Sequence, residues 1–357
     1  MPVEIKRIDP LEMRTAIVNF FWKLRMWPYP TIDHYFRFWD WRHRCLSEGD
    51  PVAWVALNGT EIVGHITLLF RTLTCNGRRV RAGVTANFRV EADSPRAPLS
   101  AALASAPRRL VRDGEIDIML GFSNPAAHRM AVALGSREVG PMSTLADVVQ
   151  WTPILRRRLW ALGALAPLLS TVMRARRFLG GARSPGHLDA FAARTVGAEE
   201  LATLDHSHWE PSPGLTWNGS LTAFANRHCP SEFRASQVRA IIDRQTSRLE
   251  GLVALEGAND LQIRDCAFNA RALSAPQAVA LAARSEPQIE SVRVPLLPRT
   301  QLAAAFAGAG YLRLPAQLST VVFSDTLWSA YWLKNHPLAA AFAHTREWNL
   351  WYGWSHH

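Results

Sequence analysis

The feature that most constrains the fold is a set of three strand-like segments in the N-terminal half of the chain. They run from Val52 to Leu57, from Glu61 to Phe70 and from Val80 to Val90, and Asn-Gly dipeptides at 58–59 and 76–77 separate them. Because Asn and Gly tolerate the positive φ of a two-residue type I′ turn, each dipeptide predicts a tight hairpin. The sequence therefore predicts an antiparallel meander of three strands.

Helix and strand patterns alternate after this meander. Apolar residues recur at helical spacing from Leu99 onward, and Gly114 is a typical helix stop. Ile116 to Phe122 is an apolar run typical of a buried strand, and Pro125 to Leu134 has a helical pattern. Residues 135–140 predict a turn into a further strand. The predicted order from Val52 is β-β-β-α-β-α-β.

Two motifs in this stretch resemble those of the GNAT acyltransferases. NGTEIVG at 58–64 is similar to the family's strand start G-x-x-V-G. GFSNPAAHRMAVALGSREVG at 121–140 is similar to the family's G-F-P-N, helix and L-G-F. The resemblance implies an α/β (α+β) fold with a mixed, mostly antiparallel sheet flanked by helices. It also implies an enzyme that transfers an acyl group from an acyl-CoA thioester to an amine.

The length of 357 residues exceeds one such domain and predicts two units with a connector. We expect a GNAT-like acyltransferase domain at 1–150, a basic and apolar connector at 151–186, and a second, diverged GNAT-like domain at 187–357. WNGSLTAFANRHCP at 217–230 resembles the entry of the second domain in one group of tandem GNAT-like bacterial proteins. Strand-like segments of this second domain are predicted at 249–255, 261–268, 289–297 and 318–323.

Two helical patterns rich in aromatic residues precede the meander, at 13–27 and 32–46. We place the first strand before them, in Val3 to Ile8. The aromatic side chains suit a helical core face, and they equally suit contact with an acceptor or a membrane surface, where Trp and Tyr satisfy both an apolar ring and a polar edge.

The chain is strongly basic, with a formal net charge of +10 at pH 7. Such a charge implies an acidic partner, but it does not distinguish anionic lipid, an acidic carrier protein, nucleic acid and phosphorylated cofactors. The uncharged run Leu159 to Met173 has arginines on both sides, at 156–158 and within 174–177. It is too short to span a bilayer, so we expect an interfacial helix, the alternative being a helix buried between two domains. We therefore expect an anionic membrane surface as partner and no nucleic acid.

The N-terminal residues MPVEIKRIDP lack the pattern of a secretory signal peptide. This predicts a cytoplasmic protein that is peripheral on the inner face of the cell membrane. Four isolated cysteines, at 45, 75, 229 and 266, support neither a zinc site nor a disulfide framework, and we expect no metal.

In the family, a bulged strand binds the pantetheine arm, and an R-G-x-G loop gives backbone N–H groups to the pyrophosphate of coenzyme A. Here residues 94–99 are SPRAPL, with no glycine and two prolines, which weakens such a cradle. An acyl carrier protein, which is rich in carboxylates, is therefore an alternative donor that would contact Arg96 and the arginines at 108, 109 and 112. The resemblance places donor binding at Phe88, Val90, Arg96, Ala97, Leu99, Ser100 and Asn124.

Acyl transfer to an amine needs a base, a hydrogen-bond donor for the thioester carbonyl and an acid for the leaving thiolate. The resemblance assigns the carbonyl to the peptide groups of 88–90 and the role of base to Glu91. His128 is the one substitute for the tyrosine that commonly acts as acid, and Asn87 and His65 are expected to face the cleft. The alternatives are a solvated Glu91 and histidines with purely structural roles.

The sequence thus predicts an N-acyltransferase that moves a long-chain acyl group to the amine of a lipid or amphiphilic acceptor such as a sphingoid base. Bacterial ceramide synthases are one group of this kind. Two alternatives stay open. One is a soluble N-acetyltransferase that acts on a small amine or sugar, and the other is a non-catalytic binding protein with two GNAT-like domains.

Overall fold

The computed structural model of the chain describes residues 3–92, 96–148, 171, 185–210, 214–217, 220–233, 235–284, 288–297, 299–313 and 327–350. The elements up to residue 148 are β1 (Glu4–Ile8), α1 (Arg14–Lys23), α2 (Ile32–Cys45), β2 (Val52–Asn58), β3 (Glu61–Cys75), β4 (Arg78–Val90), α3 (Arg96–Ser105), α4 (Arg108–Arg112), β5 (Ile118–Ser123), α5 (Pro125–Ala133), β6 (Arg137–Pro141) and β7 (Ser143–Val148). The later elements are α6 (Pro185–Leu188), β8 (Phe191–Val196), α7 (Ala198–Thr203), β9 (Leu215–Trp217), α8 (Leu221–His228), β10 (Gln237–Asp243), β11 (Leu249–Glu256), β12 (Asp260–Phe268), α9 (Ala275–Ala283), β13 (Ser291–Leu296), α10 (Gln301–Gly308), β14 (Leu312–Arg313), β15 (Leu327–Tyr331), α11 (Ala339–Ala343), a 3₁₀ turn (Thr345–Glu347) and β16 (Trp348–Asn349).

The predicted meander is present as β2, β3 and β4, but its two turns differ. Asn76 and Gly77 are the central residues of the β3–β4 turn, with φ of 50° and 77°, as a type I′ turn requires. Asn58 is the last paired residue of β2, so Gly59 and Thr60 are the central residues of the β2–β3 turn. Only Gly59 has a positive φ there, 64°. The type I′ prediction is wrong for this turn, because glycine at the first central position gives the type II′ arrangement.

The described residues divide into two compact units. Those within Met1–Gly140 and Thr326–Ala343 form the first unit, and those within Pro141–Asp325 and His344–Ser355 form the second. The first unit contains the strand order β1-β2-β3-β4-β5-β15-β6, and the second contains β14-β7-β13-β12-β11-β10-β8. β4 and β5 are parallel, as are β12 and β13, whereas the hairpins before them are antiparallel. The prediction of two α/β units with mixed, mostly antiparallel sheets is confirmed.

In each of these strand orders, one strand comes from the opposite half of the sequence. β15 pairs antiparallel with β5 in the first sheet, and β7 pairs antiparallel with β13 in the second. The predicted domain boundary at residue 150 had grouped β7 with the first domain. A strand makes the same backbone hydrogen bonds in either sheet, so its local pattern does not show which sheet it joins. The predicted strand at 318–323 and nearly all of the predicted connector lie outside the described residues.

The aromatic side chains of α1 and α2 pack inside the first unit. Phe20, Phe21, Tyr35, Phe38 and Trp39 are all buried, and the rings of Phe21 and Trp39 are 5.7 Å apart between centroids. For these side chains the structure shows the core-face alternative. The driving force is the large apolar area that each ring removes from water.

The surface of the described chain is poor in apolar side chains. Val132 is the one large hydrophobic residue that is exposed among the described residues, at 39%. No helix in the same part of the chain is long and apolar enough to cross a membrane. Apart from Thr171, the predicted interfacial helix from Leu159 to Met173 lies outside the described residues.

Candidate active site

A gap opens between β4 and β5 in the first unit. The two strands pair in parallel only where Ala82–Val84 meets Ile118–Leu120, although β4 continues to Val90 and β5 to Ser123. Neighbouring strands that continue without pairing leave backbone donors and acceptors that an extended ligand can satisfy. This splay is the arrangement that the resemblance predicted for the pantetheine arm.

A β-bulge in β4 lies at the open end of the splay. One residue of β3, Ile66, stands opposite two residues of β4, Asn87 and Phe88. Asn87 has a φ of 54°, in the left-handed region that asparagine adopts more readily than most residues. A bulge of this kind turns the following peptide groups away from the regular ladder. The predicted carbonyl-binding segment 88–90 therefore begins at an irregular point of the strand.

His65 supports the bulge from the core. Its Nδ1 atom lies 3.1 Å from the backbone oxygen of Asn87, and its Nε2 atom lies 3.3 Å from the hydroxyl of Thr67. A carbonyl oxygen can only accept, so the contacts assign the proton to Nδ1 and leave Nε2 to accept from Thr67. The ring is fully buried, with an edge-to-face contact to Phe21 at 5.0 Å. The structure thus places His65 in the core and away from solvent.

Burial also determines the charge of His65. Desolvation lowers the pKa of its imidazole to about 4, although the hydrogen bond with Asn87 acts in the opposite direction. The neighbouring His43, whose Nδ1 atom lies 2.8 Å from the oxygen of Trp39, has its pKa lowered by burial to about 3. Both rings are therefore neutral at pH 7, and neither brings a positive charge to the bulge.

The bulge contains a buried side-chain amide, that of Asn87. The residue is 7% exposed, and its Nδ2 atom has no hydrogen-bond partner among the described residues. Leaving a buried amide unpaired costs roughly 1–3 kcal/mol. Such a donor beside a binding gap is suited to an acceptor atom of a ligand.

Glu91, the predicted base, is held by a cation. Its Oε1 atom lies 2.6 Å from Nζ of Lys23, which also contacts Glu61 at 3.2 Å. The hydrogen bond with Glu91, followed by that with Glu61, raises the pKa of Lys23. The Glu91 side chain is 14% exposed. Glu91 is therefore engaged in an ion pair, and a substrate ammonium has to displace Lys23 before it can contact this carboxylate.

Helix α5 starts where β5 ends. Asn124 is its N-cap, and its Oδ1 atom accepts from the backbone N–H of Ala127 at 3.0 Å. One turn later His128 is 5% exposed, and neither of its ring nitrogens has a hydrogen-bond partner among the described residues. Oε2 of Glu138 lies 3.9 Å from its Nε2 atom, beyond hydrogen-bond distance. Both ring nitrogens of His128 are therefore open to a hydrogen bond with a ligand.

The start of α3 follows directly on β4. Backbone N–H groups of its first turn come from Arg96, Ala97 and Leu99, because Pro98 has none. The side chain of Leu99 is 6% exposed and packs in the core, whereas that of Ala97 is exposed and that of Ser100 is partly exposed. The side chain of Arg96 lies outside the described residues. The predicted donor residues of α3 therefore offer mainly backbone groups.

Other predicted residues take structural positions. The side chains of Phe88 and Val90 pack against the core cluster of the first unit, so their peptide groups are what they offer to a ligand. Arg108 is buried, and its guanidinium donates to the carbonyl of Ala131 and the hydroxyl of Ser136. Among the arginines predicted to contact a carrier protein, Arg108 is thus engaged within the protein.

Sequence analysis missed the contribution of β15. Ser329 pairs with Gly121, and its hydroxyl lies 3.0 Å from the point that a Cβ on Gly121 would occupy. The hydroxyl of Thr85 on β4 lies 3.4 Å from the same point. The absence of a Cβ at Gly121 thus leaves room for both hydroxyls beside β5. No local signal around Ser329 could have revealed this, since the strand comes from the other half of the chain.

The second unit has a comparable splay and bulge, but different side chains lie at the bulge. β12 and β13 pair in parallel through Asp260–Gln262 and Ser291–Arg293, and β12 gains an extra residue just before Asp265. Oδ2 of Asp265 lies 2.9 Å from Nε2 of His228 and 3.8 Å from the guanidinium of Arg227. All three side chains are buried. A carboxylate with partners in the protein thus occupies the position that Asn87 occupies in the first unit.

The N-terminus of α9, the helix that follows β12, is capped by side chains of the protein itself. Ser274 and Gln277 form a capping box at the start of α9, which satisfies N–H groups that would otherwise bind an anion. In the preceding segment, Asn269 donates to the buried carboxylate of Glu250 at 2.8 Å. A negative charge here disfavours a pyrophosphate. Of the two units, the first therefore has the freer donor groups.

The fold is similar to those of solved GCN5-related N-acetyltransferases. One from Kribbella flavida matches with a TM-score of 0.55 and 15% identity, over 93% of this chain and 71% of its own. A conserved protein from Enterococcus faecalis has a TM-score of 0.58 at 8% identity, over 93% and 72% of the two chains. Eis1 from Mycobacterium abscessus has a TM-score of 0.53 at 12% identity, over 92% and 73%. No protein-family model and no curated protein matches the chain. The likeness establishes the GNAT fold.

Proposed function

We propose that this protein, whose chain has the GNAT fold, is an N-acyltransferase that moves an acyl group from a thioester to an amine in its first unit. The observation that carries the proposal is the β4–β5 splay with a bulge at Asn87 and Phe88. A pantetheine arm is extended and rich in amides, so it can take up the backbone groups of the splay as an added strand does. Its thioester then lies beside the bulge.

The reaction requires a base, an acid and a hydrogen-bond donor to the thioester carbonyl, and the peptide groups of 88–90 are the proposed donor. The amine nitrogen attacks the carbonyl carbon, the carbon–sulfur bond breaks, and the amine loses a proton while the thiolate gains one. Glu91 is the proposed base. A substrate ammonium that approaches it can displace Lys23 and then give its proton to the carboxylate. His128 is the proposed proton donor to the thiolate, and Asn124 positions it by beginning α5.

Turnover can be measured as release of free thiol with a panel of acyl thioesters and amines. We expect Glu91→Ala to lower kcat by about 10²–10⁴-fold, the usual contribution of a general base. Glu61→Ala is the matched control, because Glu61 also contacts Lys23 but lies outside the proposed reaction, and we expect it to keep wild-type kcat. We expect Asn124→Ala to lower turnover with the fold intact. If Glu91→Ala were active and Asp265→Asn inactive, catalysis would belong to the second unit.

A finer proposal concerns the acceptor, which we propose to be a lipid or amphiphilic amine, such as a sphingoid base, that receives a long acyl chain. The support is the net charge of +10 and the Arg-flanked apolar run at 159–173. The protein should float with anionic liposomes, and Arg156→Glu, Arg157→Glu and Arg158→Glu together should release it, since each basic residue contributes about 1 kcal/mol at such a surface. Absence of liposome binding at low salt would remove this proposal.

A small soluble amine or sugar is the second candidate acceptor. It is favoured by the burial of the aromatic side chains of α1 and α2, which leaves few apolar groups on the described surface. Rates with short and long acyl thioesters on short and long amines separate the two candidates. A lipid-directed enzyme should gain in kcat/KM with each added methylene, by up to about 0.8 kcal/mol. An enzyme for small amines should not.

The donor is proposed to be acyl-CoA or an acyl carrier protein. Pro98 removes one N–H group from the first turn of α3, which disfavours a pyrophosphate, and the exposed Arg109 and Arg112 are available for an acidic carrier. Steady-state rates with one acyl chain on each carrier decide between them. If the coenzyme A thioester were the better substrate and Arg109→Ala had no effect, the carrier protein would be excluded as the preferred donor.

A further inference from the structure

We infer that the side-chain amide of Asn87 donates a hydrogen bond to the thioester oxygen as it becomes negatively charged, and that His65 positions Asn87 for this task. The inference rests on the proposed function, because it assigns roles within the same acyl transfer. It adds a side-chain donor to the backbone donors of the bulge. It also gives His65 a positioning role in place of direct contact with the substrate.

The first argument is the state of the amide. Nδ2 of Asn87 is buried and has no acceptor among the described residues, whereas the backbone oxygen of the same residue is bound by His65. Folding does not leave a buried donor unpaired without a cost, so a bound acceptor would recover that free energy. The residue lies in the bulge itself, next to Phe88. A thioester oxygen placed at the bulge is the acceptor that the proposed reaction supplies.

The second argument is preorganisation. The left-handed φ of 54° fixes the direction in which the side chain leaves the backbone. His65 holds this conformation with a hydrogen bond from its Nδ1–H to the backbone oxygen of Asn87, and the hydroxyl of Thr67 can donate to its Nε2 atom. Phe21 and Trp39 enclose the imidazole, with ring centroids 5.0 Å and 5.6 Å away. Donors that are fixed before the reaction need no reorganisation when charge develops, which is the basis of oxyanion stabilisation.

The step balances without any further reactant. The amine nitrogen forms a bond to the carbonyl carbon, and the π electrons of the carbonyl move to its oxygen. Nδ2 of Asn87 donates to that oxygen without losing its proton. The electrons return as the carbon–sulfur bond breaks. Of the two protons that the ammonium substrate loses, the first goes to Glu91 before the attack, and the second replaces the one that His128 gives to the thiolate.

The decisive variant is Asn87→Gly. Glycine adopts a positive φ at no steric cost, so the bulge keeps its backbone while the amide is removed. We expect kcat to fall by about 10²–10³-fold, as with removal of one oxyanion donor, with KM and Tm near wild type. Asn87→Asp retains the shape and places a carboxylate where the oxyanion forms, so its kcat should be at least as low. Asn76→Gly is the matched control, since Asn76 is also left-handed but lies at the β3–β4 turn.

The role of His65 is tested with two substitutions by residues of similar size. His65→Asn retains a donor near the position of Nδ1, and His65→Leu removes it. We expect the leucine variant to lose kcat with little change in KM, and the asparagine variant to recover a large part of that loss at a comparable Tm. Equal activity of the two variants at equal Tm would reduce His65 to a packing residue and overturn its positioning role.

The outcomes separate this inference from the proposed function. Wild-type protein that transfers no acyl group from any thioester to any amine overturns the proposed function and the oxyanion role with it. Active wild-type protein with a fully active Asn87→Gly variant overturns the oxyanion role alone. Asn87→Gly should also be more stable than Asn87→Ala, because glycine adopts the left-handed backbone without strain and alanine does not. An equal loss of Tm in the two variants would show that the amide, and not the left-handed backbone, stabilises the bulge, and would contradict the inference.

Discussion

Arg108 is a buried cation whose removal should destabilise the first unit. It is 2% exposed, and one guanidinium nitrogen donates to the oxygen of Ala131 at 3.0 Å and to the hydroxyl of Ser136 at 2.7 Å. Burial lowers the pKa of this guanidinium, which nevertheless stays protonated. Its charge also lies at the C-terminal end of α5, where the helix dipole favours a cation. Arg108→Ala removes these contributions together.

The magnitude follows from which groups lose a partner. The oxygen of Ala131 also accepts from the backbone N–H of Ser136 at 2.9 Å, so it stays satisfied in the variant. The buried hydroxyl of Ser136 loses its charged partner, and a hydrogen bond to a charged group contributes roughly 1.5–3 kcal/mol. Loss of the packed side-chain stem adds to this, and relief of guanidinium desolvation subtracts. We expect a net loss of about 3 kcal/mol in the free energy of unfolding.

Thermal unfolding followed by tryptophan fluorescence measures the effect. For a unit of about 150 residues, a loss of about 3 kcal/mol lowers Tm by roughly 6–12 °C. Arg109→Ala is the control, because Arg109 is exposed on the same helix and exposed substitutions stay within about 0.5 kcal/mol. Arg108→Lys should fall between them, since an ammonium cannot match the planar guanidinium fork. A Tm for Arg108→Ala equal to that of the control would refute the reasoning.

Three further predictions concern the fold. A fragment of residues 1–150 lacks β15, so β5 keeps an open edge; we expect the fragment to aggregate, and co-expression with residues 185–357 to restore soluble protein. Gly83→Ala should lower stability by about 1–3 kcal/mol, because its Cβ would lie 2.6 Å from Leu68. In the unfolded chain, histidines take up protons below about pH 6.5. In the folded protein, burial lowers the pKa of His43 to about 3 and that of His65 to about 4, so both remain neutral over this range. Stability should therefore fall as pH drops from 6.5 towards 4, and less steeply in His43→Leu.

Much of the first unit was accessible from local pattern. The strands β2, β3 and β4, the helix α5 and the first strand β1 all lie within one to five residues of the predicted ends. Alternation and turn residues determine such elements because they act over a few positions. The type II′ turn at Gly59 was missed because an Asn-Gly dipeptide fits more than one pairing register of the two strands. Only the pairing of β2 with β3 determines which residues are central in the turn. The exchange of β7 and β15 was missed because it depends on long-range pairing alone.

The sequence predicted where along the chain the residues of the candidate site lie, but not which residues they contact. Resemblance placed the bulge near 88–90 and the start of α5 at Asn124, and the structure has both. It did not show that Lys23 holds Glu91 or that His65 faces the core. A sequence window gives the identity of a side chain, whereas burial and partner depend on residues far along the chain. Ser329, which approaches Gly121 from β15, is the clearest case.

The two units differ most at the position where an acyltransferase needs free donors. In each unit one helix has a buried Arg-His pair in its last turn, Arg42 and His43 in α2 and Arg227 and His228 in α8. In the second unit the carboxylate of Asp265 lies 2.9 Å from His228 and 3.8 Å from Arg227, so it has partners within the protein. In the first unit the bulge carries the neutral Asn87, and its amide remains unpaired among the described residues. A carboxylate there would repel a developing oxyanion, whereas an amide donates to it. The same architecture thus favours internal pairing in one copy and ligand binding in the other, which is the physical reason to seek catalysis in the first.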